Sequence, residues 1–389
     1  MIQLSSRTSA FTDSVIRRMT RICKKYDAVN LSQGFPDFDP PKPILERLHR
    51  VADHGPHQYS ITWGAQNTRE ALANKMMRDM NLPVDPEKEL VITCGGTEAM
   101  MCAVMATLNR GDKVAIFSPF YENYGADCIL CDAKPIYVPL HAPDFTFDQK
   151  ELEQAFLDGA KALILNNPSN PSGKVFTREE LMTIASLVDK YDAFVITDDV
   201  YEHIIYEPHE HIYFATLPGM RERTVMCNSL SKTYSITGWR LGYVFSTPEV
   251  IDRVRKVHDF LTVGAAAPLQ EAIIAGLEMP VSYYENVKKI YTEKRELFLN
   301  GLDRLCLKYF KPQGAYYVLV DIGEFGYDSD LEFCEDLARL VKVGAVPGSS
   351  FFNEPVNNYI RFHFAKTEGT LNSALDNLST IREKIKVRK

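Results

Sequence analysis

Between residues 90 and 245 the chain alternates short apolar runs with longer segments of helical period. The runs are Leu90-Val-Ile-Thr93, Lys113-Val-Ala-Ile-Phe117, Ala162-Leu-Ile-Leu165, Ala193-Phe-Val-Ile-Thr197, Thr224-Val-Met-Cys227 and Leu241-Gly-Tyr-Val-Phe245. Runs of four or five apolar residues predict strands buried on both faces, as in a parallel sheet covered by helices. Thr177-Arg-Glu-Glu180 has the pattern of a capping box, which predicts a helix through about Tyr191. The pattern as a whole predicts an α/β fold with a mostly parallel sheet. After residue 280 it changes. Val281 to about Leu305 reads as one long charged amphipathic helix, and Asp328 to Val343 as another helix. Tyr359-Ile-Arg-Phe-His-Phe364 alternates like a strand, with Tyr359, Arg361 and His363 on one face and Ile360, Phe362 and Phe364 on the other.

Composition narrows the function. The net charge of −7 argues against nucleic acid as the main partner, because phosphate backbones select basic surfaces. No apolar run approaches the ~20 residues of a membrane span. Met1 to Arg7 lacks the apolar core of a secretion signal, so a cytoplasmic enzyme is the expectation. The eight cysteines are scattered in mostly apolar contexts, the expectation for reduced core thiols. Cys128-Ile-Leu-Cys131 has no second pair to complete a zinc site, and His209-Glu-His211 reads as a surface turn. No metal is expected. No internal repeat interrupts the pattern.

The chemistry gathers where strands end, which is where open α/β sheets bind ligands. Cys94-Gly95-Gly96-Thr97-Glu98 enters a helix, and glycines there leave N–H groups free for a phosphate. Taken in isolation it reads first as a plain strand-to-helix turn. Ser118-Pro119-Phe120-Tyr121 offers an aromatic that stacks on a flat ring or fills the core. Asn166-Asn167-Pro168-Ser169-Asn170-Pro171-Ser172-Gly173 is an extended turn that presents amide donors. Asp198-Asp199-Val200-Tyr201 ends an apolar strand in acids, which are costly to bury without a cation, unless one is a helix cap. Finally, Ser229-Leu-Ser-Lys232-Thr-Tyr-Ser-Ile-Thr-Gly238-Trp-Arg240 sets a lysine beside hydroxyls and a cation. That environment favours the neutral, nucleophilic amine.

These segments, in this order from about Val29 to Ala365, resemble the class I/II pyridoxal-phosphate-dependent aminotransferases of the type I fold. Ser-x-x-Lys, then Thr-Gly-x-Arg with the arginine eight residues after the lysine, matches Ser229, Lys232 and Arg240. Asn-Pro-x-Asn-Pro-x-Gly matches from Asn167 to Gly173. The resemblance implies a large cofactor-binding α/β domain over 44–280, with a small α+β domain made of 1–43 and 281–389. It implies that Lys232 carries pyridoxal 5'-phosphate as a Schiff base and moves the Cα proton. Ser229, Arg240, Gly96, Thr97 and Glu98 would bind the phosphate, and Tyr121 would cover the ring. Asn170 and Tyr201 would share the phenolic oxygen. Asp198, rather than Asp199, would meet the ring nitrogen.

Arg361, in Tyr-Ile-Arg-Phe, would take the substrate α-carboxylate, with Gly34 of Asn30-Leu-Ser-Gln-Gly34-Phe35 offering backbone and Asn170 nearby. Without the resemblance, Arg361 reads as an ordinary salt bridge. His57-Gln58-Tyr59 resembles the segment whose tyrosine reaches the phosphate of a partner subunit, so a homodimer with shared sites is implied. The implied activity is ping-pong transfer of an amino group from an L-amino acid to a 2-oxo acid. A C–S β-lyase on the same fold is the alternative, and a silent regulator is disfavoured by the intact Lys232, Asp198 and Arg361. Ile16, Phe35, Tyr121 and a partner's Trp63 suggest an apolar, aromatic pocket for aromatic amino acids or methionine, with aspartate left open.

Overall fold

A computed structural model describes residues 4, 7–9, 11 and 13–388. Most of the leading stretch Met1 to Arg7 therefore lies outside the described residues. The strands are β1 (Val29–Asn30), β2 (Leu90–Thr93), β3 (Lys113–Ser118), β4 (Lys134–Pro139), β5 (Ala160–Asn166), β6 (Phe194–Asp198), β7 (Thr224–Ser229), β8 (Gly242–Phe245), β9 (Tyr309–Phe310), β10 (Tyr317–Asp321), β11 (Val343–Gly344), β12 (Val346–Pro347) and β13 (Tyr359–His363).

Seven of them form the central sheet, in the order β2-β8-β7-β6-β5-β3-β4. Its inner strands are almost wholly buried, as uninterrupted apolar runs require. All neighbours are parallel except β8, which runs antiparallel to both β2 and β7. A parallel neighbour needs a crossover of a dozen or more residues, usually helical. Between β7 and β8 the chain spends its connection on the Ser229–Arg240 loop instead and turns straight back. Ser229 therefore sits opposite Gly242 in the ladder, and the lysine loop closes on itself.

β4 is an edge strand that the apolar pattern passes over. Its sequence, Lys-Pro-Ile-Tyr-Val-Pro, carries two prolines. Proline cannot donate to a ladder and is tolerated at an edge. The helix Arg178–Lys190 opens with the expected capping box of Thr177 and Glu180. Helix Val281–Arg304 spans 24 residues and buries Tyr284, Val287, Tyr291 and Phe298, spaced by three, four and seven residues along one face. Each such buried side chain contributes about 1.5–3 kcal/mol of apolar burial.

Beyond it, β12-β13-β10-β9 form an antiparallel sheet. The alternation of β13 holds, but both of its faces are covered. Ile360 and Phe362 lie in the core, while Arg361 and His363 are also buried, at 1% and 0% exposure. The helix expected from Asp328 to Val343 is shorter: Asp330–Asp336, a π-helical turn at Leu337–Val341, then β11. β1 pairs in parallel with β11, so the N-terminal segment joins the C-terminal part of the chain. Helix Val15–Tyr26 comes just before β1, capped by Ser14.

Candidate functional site

The carboxyl ends of β5, β6 and β7 carry Asn166, Asp198 and Ser229, and strand register brings them side by side. Asn166 is level with Asp198, and Asp198 with Cys227. Thr93 at the end of β2 is level with Gly242, which faces Ser229. The clusters that the sequence spreads over 150 residues thus share one end of the sheet.

Gly95 precedes the helix Gly96–Thr107, whose first N–H groups have no helical partner. Gly95 has φ +87°, and a Cβ there would meet Arg240 Nη2 at 2.4 Å. Only glycine lets the guanidinium lie this close to the helix start. Arg240 itself takes a left-handed backbone (φ 55°), a conformation that non-glycine residues adopt when the surroundings impose it. Gly96 lies against Ser229, whose Oγ donates to Leu241 O at 3.2 Å. Thr97 and Arg240 are exposed, so this cradle opens to solvent. The Glu98 carboxylate turns elsewhere, to Cys94 N, Thr262 Oγ1 and His258. Within this arrangement Glu98 has its backbone, rather than its side chain, to offer the cradle.

Lys232 Nζ donates to Gly34 O at 2.8 Å, and Tyr316 Oη donates to the same carbonyl at 3.0 Å. A Cβ on Gly34 would fall 2.1 Å from Tyr317 Oη, so glycine is required for this contact. Burial, then the positive charges of Arg240 and Arg361, push the Lys232 amine down to about 8, against the pull of Asp198. Roughly a tenth of the amine is therefore neutral at pH 7, far more than for an ordinary lysine. Asp198 is partly buried at the end of β6, and burial pushes its carboxyl up to about 6 despite the hydrogen bond from Tyr124. Tyr124 Oη donates to Oδ2 at 2.7 Å and Val200 N to Oδ1 at 3.3 Å.

Asp199, one residue on, points to the other side of the strand. It takes Thr197 Oγ1 and lies 3.2 Å from His211 Nε2. The surface-turn expectation for His209-Glu-His211 is thus corrected at His211, whose side chain turns inward to a buried acid.

Arg361 Nη1 donates to Asn170 Oδ1 at 2.7 Å and Nη2 to Ser32 O at 2.8 Å. Its guanidinium is sandwiched between Tyr317 at 4.2 Å and Phe351 at 4.6 Å. Among the described residues its Nε has no hydrogen-bond partner. Ile16, Phe351 and Val346 pack together with Tyr121 against them, while Tyr121 also meets Tyr124 edge-on. Phe35 is used differently: its ring lies under Lys366. Tyr201 Oη pairs with Tyr317 Oη at 2.9 Å. Asn167 Oδ1 accepts from Phe176 N, which braces the turn that carries Asn170.

The site thus collects Lys232, Asp198, Asn170, Tyr201, Ser229, Arg240, Arg361, Gly34, Gly96, Thr97 and Tyr121. Tyr59 stands apart, with its side chain in solvent at 88% exposure. Sequence reasoning passed over Tyr124, Tyr316 and Tyr317. Tyr124 lies three residues after Tyr121, a helical spacing that signals only a shared face.

The family model for aminotransferase class I and II matches residues 26–378. The chain belongs to this family. The aminotransferase is 34% identical to a methionine aminotransferase of Escherichia coli over 366 residues, covering 94% of this chain and 95% of the relative. It is 32% identical to human kynurenine–oxoglutarate transaminase 3, covering 95% and 88%. Among solved structures, N-succinyldiaminopimelate aminotransferase from Mycobacterium tuberculosis superposes with a TM-score of 0.94 at 32% identity, covering 97% of this chain and all of that one. The enzyme transfers an amino group between an amino acid and a 2-oxo acid, and its family generally uses pyridoxal phosphate.

Proposed function

We propose that this aminotransferase holds pyridoxal 5'-phosphate at the end of the central sheet and takes large neutral or aromatic L-amino acids. The observation that carries the cofactor reading is the pairing of Asp198 with Lys232. Asp198 is a partly buried carboxyl with no ion pair among the described residues, while burial and the charges of Arg240 and Arg361 depress the Lys232 amine to about 8. The residues present fit the group. Asp198 would face the ring nitrogen, Tyr121 the ring face, and Asn170 and Tyr201 the phenolic oxygen. The Gly96–Thr97 helix start, Ser229 and Arg240 would hold the phosphate, and Lys232 would carry the group through its amine. When bound, the cofactor supplies an electron sink that stabilises negative charge at the substrate Cα.

The chain's own residues do the rest. Arg361, pre-oriented by Asn170 Oδ1 and Ser32 O, offers its fork to the α-carboxylate. Lys232 Nζ would take the substrate Cα proton as general base and then give it up as general acid. Gly34 O and Tyr316 Oη fix where that nitrogen waits. Ile16, Phe351 and Tyr121 make the wall nearest Arg361, apolar and aromatic. That wall favours methionine-like and aromatic side chains, in keeping with the methionine and kynurenine specificities named for two relatives.

The enzyme is proposed to work as a homodimer in the cytoplasm, each subunit lending Tyr59 to the other's cradle. Tyr59 and Phe260, at 88% and 91% exposure, are apolar surface that a second copy would cover. Loss of the cofactor's absorbance on mixing with single amino acids tests the reading. Methionine and aromatic amino acids are expected to convert it fastest. Borohydride labelling of any lysine other than Lys232, or conversion only by aspartate, refutes it.

A further inference from the structure

The segment that bears Tyr59 is bare at its tip and tied down at its base. Trp63 O accepts from Ile92 N at 3.0 Å, and Gly64 O from Arg69 Nε at 2.9 Å. Gln270 Nε2 donates to Ser60 Oγ at 3.1 Å. One further tie involves a buried histidine. Thr62 O lies 2.9 Å from Nε2 of His258, a fully buried residue of helix Pro248–Thr262. The other ring nitrogen, Nδ1, lies 2.7 Å from Glu98 Oε1.

Each ring nitrogen thus faces an oxygen on a different segment, and the Thr262 hydroxyl also lies 3.3 Å from Nδ1. Burial opposes ionisation of Glu98, yet His258, Cys94 N and Thr262 hold its carboxyl below the usual range. Glu98 stands in the first turn of the cradle helix, and Thr62 stands three residues from Tyr59. One imidazole therefore bridges the two.

We propose that His258 is a positioning residue: it locks the base of the Tyr59 arm to the cradle helix of its own subunit, so that Tyr59 reaches the partner's phosphate site pre-oriented. This rests on the dimer reading above. The arm is short and the Tyr59 side chain is exposed. Its aim depends on the fixed atoms behind it, namely Ser60 Oγ held by Gln270, Ile61 O held by Gly64 N, and Thr62 O held by His258. A side chain aimed before it binds loses less freedom on binding, so its hydrogen bond contributes more to affinity.

The test is a calorimetric titration of the apoenzyme with inorganic phosphate, with sedimentation velocity on the same samples. The variants are Tyr59→Phe, His258→Asn, His258→Gln and the double Tyr59→Phe/His258→Asn. Asn places its amide near Nδ1 and keeps the Glu98 side. Gln reaches the Nε2 position and keeps the Thr62 side. Tyr59→Phe and His258→Asn are each expected to weaken phosphate binding about ten-fold, the scale of one hydrogen bond to a charged group. The double variant should bind no more weakly than Tyr59→Phe alone, and His258→Gln should stay close to wild type. A double variant weakened about a hundred-fold overturns the proposal, because His258 then acts independently of the arm. So does a folded His258→Gln protein that binds ten-fold more weakly, which carries the test by itself if His258→Asn does not fold. If Tyr59→Phe binds like wild type, or the protein sediments as a monomer, it is the partner-arm reading that fails first.

Discussion

Replacing Tyr124 by Phe removes one oxygen and leaves the packing of helix Asn123–Leu130 intact. The lost atom donates to Asp198 Oδ2 at 2.7 Å and is the largest influence that favours the ionised carboxyl. A hydrogen bond to a charged group is worth about 1.5 kcal/mol at the low end, which corresponds to roughly one pKa unit. The Asp198 carboxyl should therefore rise from about 6 to roughly 7 in the variant. The sign of the stability effect follows from linkage. Asp198 binds its proton more tightly folded, at about 6, than at its ordinary value of 3.8, so its contribution to folding falls as pH rises through that window. The variant extends the fall by roughly another pH unit.

Urea unfolding of the apoenzyme should then show little difference between the two proteins at pH 5, where both carry the proton. The Tyr124→Phe protein should be weaker by about 1.5 kcal/mol at pH 8, where both have lost it. In the loaded enzyme, the acidic limb of kcat/KM should move to higher pH in the variant. A stability difference that is flat from pH 5 to pH 8 refutes the argument, because the hydroxyl would then serve packing and not the charge of Asp198.

Lys232 gives the opposite slope. Its amine is depressed to about 8 in the folded chain against 10.5 ordinarily, so its ionised form weakens the apoenzyme below pH 8, and the penalty is relieved between 8 and 10.5. Lys232→Met should raise apoenzyme stability by about 2–3 kcal/mol at pH 7, with the gain gone above pH 10.5, while abolishing transamination. Gly34→Ala should cut kcat/KM at least ten-fold, because its Cβ would displace Tyr317 and move the carbonyl that holds Lys232; an unchanged rate would show that this carbonyl is dispensable. Gly95→Ala should weaken cofactor retention on dialysis, since both its φ and its approach to Arg240 exclude a side chain. Arg361→Lys should raise KM for amino acids far more than it alters cofactor retention, as a single ammonium cannot reproduce a fork already aimed by Asn170 and Ser32.

What the sequence disclosed and what it hid divide along a physical line. Buried parallel strands announce themselves because both of their faces are apolar, so the runs ending at Thr93, Thr197 and Cys227 were plain. The clusters at their ends were legible because Gly-Gly, Asn-Pro and Asp-Asp are poor continuations of a strand. β4 was hidden because an edge strand needs no such run and tolerates Pro135 and Pro139. The reversal of β8 was hidden because an apolar run carries no direction. Tyr124, Tyr316 and Tyr317 were hidden because an aromatic in an apolar context signals core, and only the folded chain shows their hydroxyls turned toward a carboxylate, a carbonyl and another hydroxyl. His258 was hidden for a further reason: it acts on residues 160 and 196 positions away, and no local spacing records that.

The antiparallel return of β8 has a consequence for how the enzyme comes into being. Ser229 and Gly242 meet across a single short loop, so closing it costs little chain entropy. That same closure places the backbone of Lys232 and of Arg240. Arg361 must instead find Asn170 and Ser32 from 191 and 329 residues away. Contacts of such separation form slowly. The loop from Ser229 to Arg240 is therefore expected to close before Arg361 reaches Asn170 and Ser32, while the setting of the Lys232 amine waits for Gly34 and Arg361.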